Sequence, residues 1–190
     1  MNKKGNNRSV MRTKALLKNG LMDLMIKKPI NQISIKELTD SVNLNRGTFY
    51  LHYQDIFDLL EQLENEVFDE FQMILTSHQP EDLNGNPFPL LQDIFNFLKI
   101  HSEFCYILLV KNQEPIFTQK LKQILKERIF SYWNYAFPTV CSKQREIYYS
   151  FILSGCIGII ENWFQNNMEQ STEEIASLTE SLILHGVSSF

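Results

Sequence analysis

The chain has 190 residues, 44% apolar and 21% charged, which is apolar enough for a packed core and excludes a disordered or collagen-like chain. Seven glycines and six prolines are few, a composition that favours long uninterrupted elements and therefore helices. The formal charge of −4 argues on average against a nucleic-acid binder, yet Met1 to Gln54 carries ten basic residues against three acidic (+7) and the remainder eight against nineteen (−11). Two parts so differently charged are expected to have different partners, with the basic part facing nucleic acid.

Residues 1–8 are polar and basic without apolar period and predict a flexible arm. Leu16, Leu17, Leu21, Leu24 and Met25 then recur at helical steps and predict a helix over about 9–27, stopped by Pro29. Ser34-Ile35-Lys36-Glu37 is a capping-box pattern opening a short helix to Ser41. Asn43 tolerates the left-handed conformation of a tight turn, and Asn45 caps a third helix from Arg46 to about Tyr53. Two helices this short, joined by a turn of three or four residues, have the dimensions of a helix-turn-helix.

A longer helix is predicted over about 54–77, its acidic face read as solvated, followed by a loop from His78 to Pro89. Further helices are predicted at about 90–101, 103–111, 115–135, 143–167 and 172–187, the last opened by a second capping box, Ser171 to Glu174. No segment alternates with a period of two, so the fold is expected to be all-α. The domains are expected at 1–54, a helix-turn-helix DNA-binding domain, and 55–190, a second helical domain.

The segment Asn43 to Tyr53, NLNRGTFYLHY, carries the most specific chemistry. Its helix start presents Asn45, Arg46, Gly47 and Thr48 to a groove. Tyr50, His52 and Tyr53 offer uncharged hydrogen-bonding groups to phosphates, and Arg46 serves either a guanine or a phosphate. Taken one at a time, Phe49 and Tyr53 read as core packing; the capped helix, short turn and basic segment together carry the group as a DNA contact. Gly47, costly in a helix by about 1 kcal/mol, fits a close approach of phosphate backbone. No GxSxG, no P-loop and no metal-ligand spacing occur, so catalytic residues, metals and cofactors are not expected. Cys105, Cys141 and Cys156 form no CxxC pair and fit a reducing cytoplasm. The longest apolar run, Phe151 to Ile160, is short of the roughly 17 residues that span a bilayer.

The run Ile33 to Leu60, ISIKELTDSVNLNRGTFYLHYQDIFDLL, resembles the helix-turn-helix of TetR/AcrR transcriptional regulators. Gly47, Thr48 and Tyr50 match that pattern, Asn45 and Arg46 stand where Ser and Lys are common, and His52 and Tyr53 match its His/Tyr-aromatic pair. Asn43 replaces the usual turn glycine, and Ile56 replaces a lysine that in many members reaches a phosphate. Tyr148 to Met168 is similar to the C-terminal region of a branch that includes activators of dihydroxyacetone kinase operons.

The resemblance implies a cytoplasmic homodimer that binds a palindromic operator in double-stranded DNA, with Ser34, Asn45, Arg46, Gly47, Thr48, Tyr50, His52 and Tyr53 at the DNA. It makes 55–190 a ligand-sensing and dimerisation domain and places the last two long helices at a dimer interface. Ser154, Gly155 and Gly158 share a face there, flanked by Ile159, and Leu178 and Leu182 come from the final helix. Glycines so spaced let another helix approach closely, whether from the same chain or from a second copy. Phe95, Phe104, Phe117, Trp133 and Tyr148 are the candidate lining for a small apolar effector, against a background of plain core packing. No ionisable cluster in the sequence points to a charged ligand. The alternative controller is a partner protein docked on the C-terminal domain.

Overall fold

The computed structural model describes residues 3–83, 85–112, 114–136 and 142–186. Ten α-helices and no strand occur among them. The chain divides into two compact units, Met1–Val67 and Phe68–Phe190, the division falling inside the fourth helix.

In the first unit, α1 (Lys3–Met25) begins earlier than the expected arm allows, running through Gly5, Asn6 and Asn7 with no proline in residues 3–8 to stop it. Its buried stripe is Leu17, Leu21, Leu24 and Met25. A 3₁₀ turn, Ile30–Gln32, follows Pro29 and buries Ile30. Helix α2 (Ile35–Ser41) is capped by Ser34, whose Oγ accepts the Glu37 N–H at 3.2 Å. The Glu37 carboxylate takes Lys28 Nζ at 2.6 Å, and this bond, followed by the backbone N–H of Ser34, holds its pKa below the usual range. Asn43 adopts the left-handed conformation (φ 53°) in the turn to α3 (Arg46–Tyr50).

Gly20 marks where α1 and α2 cross. A Cβ there would lie 2.5 Å from Val42 Cγ1 and 3.0 Å from Leu38 Cδ1. Val42 is β-branched and has little rotamer freedom with which to yield. Gly20→Ala therefore lowers stability by about 1–3 kcal/mol through overpacking, despite the better helix propensity of alanine. Urea denaturation checks this; an unchanged or raised midpoint would show that the crossing has slack.

Helix α4 (Ile56–Ser77) starts with local carboxylates rather than with Gln54. Asp55 Oδ1 accepts the Asp58 N–H at 2.9 Å, and Asp58 Oδ2 accepts the Gln54 N–H at 2.7 Å. Asp58, read from the sequence as merely solvated, thus closes the helix start, and the Gln54 bond leads the causes that lower its pKa. Lys18 pairs with Glu66 and so ties α1 to α4 within this unit.

The second unit contains the rest of α4, then α5 (Pro80–Leu83), α6 (Phe88–Ile100), α7 (Ser102–Cys105), α8 (Pro115–Ala136), α9 (Ser142–Gln165) and α10 (Thr172–His185). The expected 78–89 loop is interrupted by α5, since Pro80 suits a first helical position and Glu81 and Asp82 suit the positive end of a helix. The single helix expected at 103–111 is broken into α7 and a π-helical turn, Tyr106–Lys111. The wider turn brings the consecutive residues Ile107, Leu108 and Leu109 into a narrower arc than a 3.6-residue period gives, and all three are buried. The Ser171 capping box forms in both directions, with Oγ accepting Glu174 N–H at 3.2 Å and the Glu174 carboxylate accepting Ser171 N–H at 2.8 Å.

Helix α10 lies along α6, and α9 packs on α8. Two histidine–carboxylate contacts join α6 to α4 and the residue beyond its end: His78 with Asp93 at 2.7 Å and His101 with Glu70 at 2.8 Å. Trp163 is buried edge-on to Phe95, its indole N–H donating to Gln170 O at 3.0 Å.

Candidate nucleic-acid interface

Helix α3 is only five residues long, shorter than the Arg46 to Tyr53 expected. After Tyr50 the backbone tightens: His52 N–H and Tyr53 N–H both donate to Phe49 O, at 2.9 and 3.0 Å. Phe49 is fully buried and anchors the helix, with the Tyr50 and Tyr53 rings each 5.7 Å from its own.

The start of α3 is held by one side chain. Asn45 Oδ1 accepts both the Thr48 N–H at 2.7 Å and the Thr48 hydroxyl at 3.0 Å. Thr48, half-buried, therefore shapes the turn as much as it presents a group. A Cβ on Gly47 would sit 3.2 Å from that same Asn45 oxygen, so the glycine has a local reason beyond the approach of a phosphate: it leaves the cap uncrowded.

This leaves Asn45, Arg46 and Gly47 exposed in one turn, with Tyr50 59% exposed one turn on. Ser34 is exposed at the start of α2, and His52 is half-buried beside the Tyr53 ring. Leu51, 79% exposed at the end of α3, was not among the expected residues because it has no polar group to mark it. Its exposure, one residue after Tyr50, is what marks it, since apolar side chains contact thymine methyls in a major groove.

Tyr53 is a correction. It is 2% exposed and its hydroxyl is buried without a hydrogen-bond partner, so it braces the core and cannot present that hydroxyl to DNA. Lys14 Nζ lies 5.6 Å from the centre of its ring. Burial, followed by the nearby carboxylates of Glu66 and Asp58, pushes its pKa up to about 12. Ile56 is also buried, at 5% exposure, and acts as a core residue at the first turn of α4.

In the second unit the candidate effector residues that are described pack in aromatic pairs. Phe95 stands against Trp163, while Phe104 and Phe68 both pack on Phe117, with centroids 5.8 and 4.8 Å away. Tyr148 is 48% exposed, which removes it from any interior lining, and the side chain of Trp133 lies outside the described residues. Burial pushes the Cys105 and Cys156 thiols up to about 12 and 11, which makes them poor nucleophiles at neutral pH; Cys141 lies outside the described residues.

The candidate dimer residues lie mostly at the surface. Ser154, Gly155 and Gly158 are exposed, and a Cβ on either glycine would meet nothing within 4 Å. Ile147 (68% exposed) and Phe151 (72%) extend the same stripe of α9. Ile159 and Leu182 are half-buried and Leu178 is exposed. Among the described residues, no helix is long and apolar enough to cross a membrane.

Residues 85–185, just over half of the chain, match the family model described as the transcriptional regulator C-terminal region of the TetR type. A curated relative, the uncharacterized HTH-type transcriptional regulator YxbF of Bacillus subtilis (strain 168), is 31% identical over 72 residues, covering 34% of this chain and 19% of that protein. The chain thus spans about a fifth of that relative's length. The fold is similar to that of a TetR transcriptional regulator from Streptococcus agalactiae 2603V, with a TM-score of 0.68 and 18% identity over 96% of this chain and 99% of that one. It is also similar to the dihydroxyacetone kinase operon activator DhaS, with a TM-score of 0.61 and 15% identity over 94% and 97% of the two chains. With the family model matched over this span, the chain belongs to the TetR family of transcriptional regulators.

Proposed function

We propose that this chain is a sequence-specific, DNA-binding regulator rather than an enzyme, acting in the cytoplasm as a homodimer on a palindromic operator under the control of an effector. One observation carries the DNA reading: the Asn45 cap fixes the start of α3 while Arg46 and Tyr50 stay exposed, within a segment of net charge +7. That is the arrangement a short recognition helix needs to enter a major groove by its N-terminal end. The −11 remainder of the chain repels DNA and so favours the head as the only contact surface.

A pair of tyrosine variants tests it. Tyr50→Phe removes an exposed hydroxyl and is expected to weaken binding to the chain's own upstream DNA about five- to tenfold, the net worth of one ordinary hydrogen bond. Tyr53→Phe removes a buried, unpartnered hydroxyl and is expected to leave DNA affinity unchanged and stability equal or higher. Fluorescence anisotropy and thermal unfolding read both. Equal effects of the two changes on affinity, or a wild type that does not prefer this DNA to unrelated duplex, would refute the interface.

A further inference from the structure

Arg128, on α8, is unusual among the cations of the second unit. Its Nε and Nη2 atoms are both shut off from solvent, and neither has a hydrogen-bond partner. One turn along the same face, Tyr132 is 9% exposed, and its hydroxyl is likewise buried and unpartnered. Two carboxylates act on these groups from other helices, Glu81 of α5 on Arg128 and Glu180 of α10 on Tyr132, but neither bonds to them. Burial lowers the guanidinium's pKa against the pull of Glu81, and burial, then Glu180, raises that of the phenol.

Buried donors left unbonded cost stability, and a buried charge left unbonded costs more. A chain keeps such groups where something else completes them. The chemistry of the vacant donors specifies what that is. Nε–H and Nη2–H lie parallel on one edge of the planar guanidinium, the edge that binds two oxygens of a carboxylate or phosphate at once. We propose that Arg128 and Tyr132 anchor a ligand site in the second unit, where an oxyanion takes the Nε–Nη2 edge and the Tyr132 hydroxyl adds a third donor. The ligand class is an organic carboxylate or phosphate, in contrast to the wholly apolar effector expected from the aromatic residues.

That this ligand is the effector rests on the regulator reading; that the site binds oxyanions does not. Calorimetry on the whole chain without DNA, using benzoate, phenyl phosphate and inorganic phosphate with benzamide as the neutral control, tests the site alone. At least one oxyanion is expected to bind, and which one separates carboxylate from phosphate. Arg128→Met is expected to weaken it about 10- to 100-fold, Tyr132→Phe less, and Arg128→Lys, which keeps charge but not the paired edge, to an intermediate degree. The ligand-free melting temperature of Arg128→Met should equal or exceed that of the wild type. Binding of none of the three anions, equal binding of benzamide, an unchanged affinity in Arg128→Met, or a ligand-free Arg128→Met that melts lower or fails to fold would each overturn the site. Adding the bound anion to the complex with upstream DNA then reads the coupling. Failure of the ligand-free chain to bind that DNA counts against the regulator reading and leaves the site standing.

Discussion

Arg46→Ala is expected to lower affinity for the operator about ten- to hundredfold while leaving the fold intact. The side chain is exposed at the start of α3 and makes no ion pair among the described residues, so nothing in the free protein depends on it. Its two possible contacts leave different traces. Bound to guanine, the guanidinium is worth about 1–3 kcal/mol of discrimination, and its loss relaxes preference at one base pair of each half-site. Bound to phosphate, its loss weakens all sequences alike and flattens the log-log salt slope by about 0.9 per protomer. Arg46→Lys separates the cases again, since lysine retains the point charge for a phosphate but loses the paired donors for guanine. Anisotropy titrations on operator and unrelated duplex at several salt concentrations give both readings. If Arg46→Ala changes neither affinity nor slope, α3 is not at the DNA.

What the sequence revealed of this interface was its local chemistry. Caps depend on a few adjacent residues, so the Ser34, Asn45 and Ser171 caps and the left-handed Asn43 were all legible before any packing was known. The length of α3 was not legible, because Phe49 accepts two backbone bonds and pulls Leu51 to Tyr53 into a tight turn whose residues favour helix equally well. Tyr53, four residues after Phe49, shares its face, yet a tyrosine so placed can still turn its hydroxyl outward. Only the packing against Phe49 and beneath Lys14 decides that one phenol is core and the other surface. The π-helical turn and the vacant edge of Arg128 likewise arise from contacts between helices distant in sequence, and a lone arginine in a helix ordinarily reads as solvated.

Gly158→Trp tests how two such heads are brought together, and its expected effect is larger than that of any single DNA contact. In the single chain a Cβ at Gly158 meets nothing within 4 Å, and the same holds at Gly155, so packing within the chain does not explain why the glycines are there. Together with exposed Ile147 and Phe151, they form an apolar, narrow stripe on α9 to which a second copy's helix can approach closely. A bulky ring on that stripe holds the partner helix off without touching the chain's own core. The variant should therefore melt near the wild-type temperature when dilute, yet sediment as a monomer at concentrations where the wild type is a dimer. On DNA the consequence is multiplied, because a dimer's second head binds at the effective concentration set by the first. Removing that link costs about a hundred- to ten-thousandfold on the palindrome and little on an isolated half-site. Gly155→Ala, which adds a single methyl group, is expected to keep the dimer. If Gly158→Trp still sediments as a dimer, this stripe of α9 is not the interface, and the two heads are joined elsewhere.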